Sequence, residues 1–293
     1  MPAASVGAHS PIRRRQIAIL LVLILAIIVG FLLVRGAGLL AGGAKGAAAF
    51  QHVHGIGFNP ADNTLYAATH DGLFRLPTAG PPVRVADRVQ DFMGFTVVGP
   101  DHFLASGHPG EGSSGPSSLG LIESTDRGNT WTSLSLAGKA DFHALQARHG
   151  TIYGYNSMTG AFLVSANGKT WQTRTTLAMA DFAVSPGDAD VVVAATEQGL
   201  VRSSDAGRSF AAMAAPLLLL ISWAEDGTLV GLTPKGVVHV STDQGITWHQ
   251  RGTIRGSPEA LEAANADEIY AAAAGMVLAS RDGGRTFTPH ARG

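Results

Sequence analysis

Histidines and carboxylates recur at short spacings through the first two thirds of this sequence: His52-Val53-His54, His70-Asp71, Asp91, His108, Asp141-Phe142-His143, Asp181 and Glu197. Imidazole nitrogen beside carboxylate oxygen is a ligand set for Zn²⁺ or copper. His52, His54 and His143 form the candidate metal trio, and Met93 adds a soft atom suited to copper. A second chemistry needs only carboxyl groups. Two of Asp91, Asp141, Asp181 and Glu197 would serve as acid and base, or acid and nucleophile, in glycoside hydrolysis. A third reading makes Asp91, Asp141 and Asp181 turn caps, with Phe92, Phe142 and Phe182 filling a core. Ligand contacts are expected from His52, His54, His70, Asp71, His108, His143 and Tyr155. The sequence requires no cofactor, and Zn²⁺ or copper is the cation these residue types would hold.

The elements that must position these groups repeat. The pattern SxDxGxTW occurs at Ser241–Trp248, with related copies at Ser124–Trp131, Ser165–Trp171 (one residue short), Ser203–Phe210 and Ser280–Phe287. The closing aromatics fall about 39 residues apart, a period typical of repeat architectures built from one supersecondary unit. Within each unit, short runs of β-formers alternate with turn residues. A glycine precedes each third strand, at Gly72, Gly120, Gly160, Gly199, Gly236 and Gly275. In the first unit the strands are expected over His52–Phe58, Thr64–Thr69, Leu73–Leu76 and Val83–Ala86, and the apolar run Leu217–Trp223 is expected as an inner strand buried on both faces. Gly107–Ser118 is a surface insertion. A four-stranded unit cannot bury both faces alone, whereas radial packing of several units does so. The fold class expected is therefore all-β, a six-bladed β-propeller with four-stranded blades.

The repeated motif is that of the Asp-box, or bacterial neuraminidase repeat, propellers, and residues 50–290 resemble that superfamily, which includes sialidases, sortilin-type receptors and photosystem assembly factors. The resemblance implies that each box is the turn between strands three and four. Asp126, Asn167, Asp205, Asp243 and Asp282 would then accept backbone hydrogen bonds, and the following glycine would take a positive φ. These are structural duties. The segments HVHGIGFNP, YAATHDGLFR, DFMGFT, SGHPG, LGLIESTDRGNTW and DFHAL are similar to those of bacterial membrane-anchored Asp-box proteins labelled glycosyl hydrolases. Propeller topology puts strand-one starts and strand-two ends on the face opposite the boxes. Counting back from the six glycines, His52, Asp91, Asp141 and Asp181 become near-equivalent, and His54, Met93 and His143 lie two residues further on. Sialidase chemistry, by the same resemblance, uses three arginines and a Tyr–Glu pair. No arginine falls at the expected mouth, and Tyr66, Tyr153 and Tyr270 read as core, leaving Tyr155 free.

A net charge of −1 gives no electrostatic footprint of the basic face that nucleic-acid binding normally requires. With no cysteine there are no disulfides, thiolate sites or lipid-bearing thiols. Arg13, Arg14 and Arg15 precede an apolar run from Ile17 to Val34 that, as a helix, would span roughly 27 Å. The organisation expected is a cytoplasmic N-terminus at 1–16, a transmembrane signal anchor at 17–35, a linker at 36–49 and the propeller at 50–293. Residues 47–49 offer a cleavage site in the alternative of a signal peptide. The basic flank predicts a single-pass protein of the cell membrane with its propeller on the extracytoplasmic side. Its partners there are a carbohydrate, a metal or an extracytoplasmic protein, bound at the His/Asp-lined face.

Overall fold

The computed structural model describes residues 51–87, 90–110, 112 and 114–292. The expected anchor, 17–35, and the segments flanking it lie outside the described residues, among which no helix is long and apolar enough to cross a membrane. Ala47–Gly293 forms one compact unit.

That unit contains six four-stranded antiparallel sheets, each contiguous in sequence. Blade 1 comprises β1 (Val53–Asn59), β2 (Thr64–Thr69), β3 (Gly72–Leu76) and β4 (Val83–Arg84); blade 2 has β5 (Asp91–Gly99), β6 (His102–His108), β7 (Leu121–Ser124) and β8 (Thr132–Ser135). Blade 3 has β9 (Phe142–Arg148), β10 (Thr151–Asn156), β11 (Ala161–Ser165) and β12 (Gln172–Thr176), and blade 4 has β13 (Asp181–Val184), β14 (Val192–Thr196), β15 (Gly199–Ser203) and β16 (Ala211–Ala212). Blade 5 has β17 (Leu220–Trp223), β18 (Leu229–Leu232), β19 (Val237–Ser241) and β20 (His249–Thr253); blade 6 has β21 (Pro258–Ala263), β22 (Ile269–Ala273), β23 (Met276–Ser280) and β24 (Thr288–Arg292). The first strands β1, β5, β9, β13, β17 and β21 contact one another in turn, and β21 meets β1 to close the ring. This is the six-bladed propeller expected from the repeat. All six marker glycines have positive φ, between 65° and 122°.

Two boundaries differ from expectation. The fourth strand of blade 1 stops at Arg84, because Ala86 turns into the left-handed region at φ 58°. The apolar run Leu217–Trp223 is a strand only from Leu220, with burial that alternates instead of staying complete on both faces, and Leu217 is exposed. Leu218 instead fills the space beside Gly231 of the next strand, where an added Cβ would stand 2.3 Å from its side chain.

Blades are held to one another in three ways. Aromatic and aliphatic side chains fill the wedges between sheets: Phe92 lies with Tyr66 and Leu73 of blade 1, and Phe162 stacks edge-on against Phe182 of blade 4. Phe92, Phe142 and Phe182 are all buried, as the core reading requires.

The boxes provide the second tie. In Ser241–Trp248 the Ser241 hydroxyl accepts from Gly245 N–H at 2.8 Å and donates to Asp243 at 2.8 Å. Asp243 in turn accepts from the N–H and hydroxyl of Thr247, at 2.9 and 2.6 Å. The boxes of Asp126, Asp205 and Asp282 repeat this arrangement. In the shortened box one amide oxygen, Asn167 Oδ1, accepts both Thr170 groups. The box glycine then lets the turn press on the preceding blade: an added Cβ on Gly207, at φ 81°, would stand 2.3 Å from the Phe162 ring. Blade 1, with a Pro-rich link from Pro77 to Pro82, has no box.

A third tie lies along the axis. The inner strand of each blade has one edge that no strand pairs, and side chains of the preceding blade reach its N–H groups. Val53 N–H donates to Glu259 at 3.0 Å, Phe142 N–H to Ser106 at 3.0 Å and Val184 N–H to Gln146 at 2.7 Å. Ile221 N–H donates to Asp181 at 2.9 Å and Ala263 N–H to Ser222 at 3.0 Å. Between blades 1 and 2 close backbone approach takes this place, since an added Cβ on Gly55 would lie 2.9 Å from Phe95 Cβ.

Gly207→Ala is therefore expected to destabilise the propeller by about 1–3 kcal/mol through overpacking. Gly187→Ala, where nothing lies within 4 Å, should change stability by less than about 0.5 kcal/mol; urea denaturation compares the two. A second expectation concerns acid. Thr247 and Ser241 hydrogen bonds hold Asp243 down at about 2, and the same bonds lower Asp205 and Asp282. A lowered carboxylate contributes stability above its unfolded value near roughly 3.9, and this is lost as pH falls through the folded value. The melting temperature should drop between pH ~4 and ~2, and Asp243→Ala should lower it at neutral pH while flattening this acid limb.

Candidate functional site

Strand pairing decides what reaches the axis on the face opposite the boxes. In β1, Val53 pairs with Thr69 and Gly55 with Ala68, so His54 is the extra residue of a β-bulge. The same irregularity leaves Met93 unpaired in β5, His143 in β9 and Glu259 in β21. The first strands of blades 4 and 5 pair regularly. A bulge re-aims the side chain it carries, and these four residues come from four blades at one end of the ring. His54, Met93 and His143 are the set that the sequence spacing groups together. Glu259 escaped that reading, although it stands at a similar offset before its marker glycine, Gly275.

Around the blade 1 bulge, three imidazoles cluster. The ring centroids of His52 and His54 are 4.5 Å apart, and those of His54 and His70 also 4.5 Å. His52 holds a left-handed backbone, φ 49°, which costs a non-glycine residue about 1–2 kcal/mol; its Nδ1 lies 4.0 Å from Glu259. His54 Nε2 faces His70 Nε2 at 3.2 Å, and His70 Nδ1 lies 2.6 Å from Asp91 Oδ1. One ligand atom from each of His54, His70 and Asp91 falls within 4.8 Å of the other two. Gly107 makes room for this: on the strand beside Asp91, at φ 148°, an added Cβ would sit 2.0 Å from the Asp91 carbonyl oxygen. Burial, with His52, His70, His143 and His108 reinforcing it, pushes His54 down to about 2, so its ring is neutral near pH 7. Burial also lowers His52, with His70 adding to it and Glu259 and Asp91 opposing.

A second cluster lies on blades 2 and 3. His143 Nε2 donates to Asp141 Oδ2 at 2.9 Å, Ser157 Oγ donates to the same oxygen at 3.2 Å, and His108 Nε2 stands 3.7 Å from it. Burial works against ionising Asp141, yet the His143 N–H and the nearby imidazoles outweigh it and hold the group below the ordinary carboxylate range.

The remaining candidates are placed differently. Asp181 accepts from the N–H groups of Phe182 and Ile221, both at 2.9 Å, and burial raises it to about 7. It is a link between blades 4 and 5. Glu197 is exposed on the β14–β15 turn, and Asp71 lies on the β2–β3 turn, where its N–H donates to Thr69 Oγ1. Tyr155, expected free at the mouth, packs instead in the wedge between blades 3 and 4, its hydroxyl bonded to the Met179 backbone. His143, expected with His52 and His54, is bonded to Asp141, and His70 with Asp91 completes the group around His54.

The BNR/Asp-box repeat profile matches residues 239–250, the turn in which Asp243 holds Thr247. The chain is a six-bladed β-propeller that carries an Asp-box repeat at these residues. No curated protein matches its sequence significantly. Among solved structures it is similar to an ancestral GH74 enzyme (14% identity, TM-score 0.55, covering 80% of this chain and 37% of that enzyme). It is also similar to YCF48 bound to D1 peptide (18% identity, TM-score 0.52, 82% of each chain) and to a gluconolactonase from Xanthomonas campestris (12% identity, TM-score 0.62, 80% and 86%). The present chain thus spans about a third of the GH74 enzyme's length, and at these identities each likeness is one of fold.

The opposite end of this propeller's axis is crossed by Arg148. Its guanidinium donates to the carbonyls of Val184 and Trp223, at 2.9 and 3.0 Å, and to Glu225 at 2.7 Å. Nearby Glu262 on the inner strand β21 is hemmed in by protein, and burial raises it to about 8, against Arg148 and with the help of Glu225. A raised carboxylate favours the folded state less as pH climbs, because the folded chain must hold a proton that the unfolded chain has already released. Glu262→Gln is accordingly expected to be more stable than the parent at pH 8 and indistinguishable from it near pH 4, as read from urea midpoints across that range.

Proposed function

We propose that this chain is a membrane-tethered extracytoplasmic Asp-box propeller that binds a zinc- or copper-class cation at its mouth, through His54 and His70 with Asp91 as the supporting carboxylate. The observation that carries the reading is the pair of Nε2 atoms 3.2 Å apart with Asp91 on the far nitrogen of His70. A Zn–N bond of roughly 2.0–2.1 Å gives a tetrahedral N···N edge of roughly 3.3 Å, so the two imidazoles stand at the separation of neighbouring zinc ligands. Asp91 accepts the Nδ1 proton of His70, which directs the Nε2 lone pair toward the cation and fixes the ring, as carboxylates do behind metal-binding histidines. Half-buried walls supplied by blades 1 and 2 keep the ligands in place. Tethering through 17–35, with the propeller exported, rests on the basic flank and length of that segment.

This arrangement suits cation binding better than glycoside hydrolysis. Of the four carboxylates considered, Asp91 and Asp141 are each bonded to a histidine, Asp181 is bonded to backbone N–H groups, and Glu197 lies on an exposed turn. The full chain should bind Zn²⁺ in competition with a chromophoric chelator. His70→Ala should remove tight binding at this site, and Asp91→Asn should weaken it about 10–100-fold. Unchanged affinity in His70→Ala, or turnover of aryl glycosides that depends on Asp91 and Asp141 without added metal, would overturn the reading.

A further inference from the structure

Donors and acceptors around Asp141 do not balance. His108 Nδ1 is 2.7 Å from the Ser117 carbonyl oxygen, which can only accept, so the neutral ring carries its proton on Nδ1 and a lone pair on Nε2. That Nε2 stands 3.7 Å from Asp141 Oδ2, a carboxylate oxygen that is also only an acceptor. The Asp141 side chain is 9% exposed, and its other oxygen, Oδ1, is buried with no hydrogen-bond partner. Buried carboxylate oxygens ordinarily find partners, because leaving one unsatisfied is costly. Here a nitrogen lone pair and a carboxylate with spare acceptor capacity share one place at the mouth.

A cation between the two would satisfy both. We infer that a second metal cation, of the zinc class, binds between His108 Nε2 and the Asp141 carboxylate, so that the mouth holds two cations and not one. The parts for such a site are present. His143 N–H and Ser157 O–H fix the orientation of the carboxylate through Oδ2, the oxygen that His108 Nε2 faces, as supporting groups do for a metal-bound carboxylate. The Ser117 carbonyl orients His108 through the nitrogen that the metal does not use. His108 lies at the end of β6, where the glycine-rich insertion of blade 2 begins, and its ring is 38% exposed, which leaves an entry path from solvent. The site shares no ligand with that of His54 and His70, so removing the ligands of one leaves those of the other in place.

Counting cations decides the matter, with Co²⁺ as the probe because its visible absorption reports tetrahedral binding. The full chain titrated with Co²⁺ is expected to saturate at two equivalents. His108→Ala and Asp141→Asn should each saturate at one, with the remaining equivalent retained at parental affinity, and His54→Ala should also saturate at one. His108 is partly exposed, so its variant tests the site even if substitution at Asp141 impairs folding. Saturation of the parent at one equivalent that only His54→Ala removes would overturn the second site and leave the first standing. Two equivalents undisturbed by His108→Ala would likewise overturn it. No binding by the parent would overturn both.

Discussion

The structure depends on the unpaired edge of its inner strands. A blade satisfies its own backbone through the three ladders that join its four strands, but the edge of the first strand nearest the axis meets no neighbouring strand. Buried N–H groups left without acceptors are costly. In this propeller the debt is met across the blade boundary, by Glu259, Ser106, Gln146, Asp181 and Ser222, each accepting from the next blade. Ring closure follows the same rule. Glu259 of the last blade accepts from Val53 of the first, so the junction between chain start and chain end uses the same device as the junctions inside the chain.

This axial stitching explains why carboxylates so close to the centre have such different roles. Asp181 and Glu259 are both acceptors for a neighbour's backbone, and Asp181 is therefore occupied by the fold. Asp91 and Asp141 are turned toward imidazoles instead. The outer ends of the blades are held by boxes, whose aspartates organise a turn while the glycine beside them lets that turn rest on the previous sheet. The inner ties run along the axis while the boxes sit at the face opposite the mouth, which keeps the box turns clear of the histidine cluster.

Much of this was legible in the sequence because it is written locally. A positive-φ glycine before each third strand, an Asp or Asn two residues after a box serine, and a constant spacing all act within a few residues of the chain. They gave blade number, blade boundaries and the faces of the ring. What was not legible is tertiary. Tyr155 looks like a mouth residue by position, yet the wedge toward blade 4 takes its ring. Leu217 begins an apolar run but lies outside the strand, because Leu218 must fill the gap over Gly231. His70 became part of the central group only once pairing put the β2–β3 turn against Asp91 of the next blade. The bulges themselves depend on register between strands, and a single strand's composition does not show that two of its residues will face one partner.

Those bulges also make function separable from folding. A residue inserted at a bulge takes no part in the ladder, so positions 54, 93, 143 and 259 carry little of the backbone pairing that holds the ring together. With Glu259 the exception, since Val53 leans on it, these sites behave as interchangeable fittings on a fixed frame. The same independence makes this mouth a convenient scaffold for redesign, with new ligand atoms introduced where the fold has already stopped counting residues.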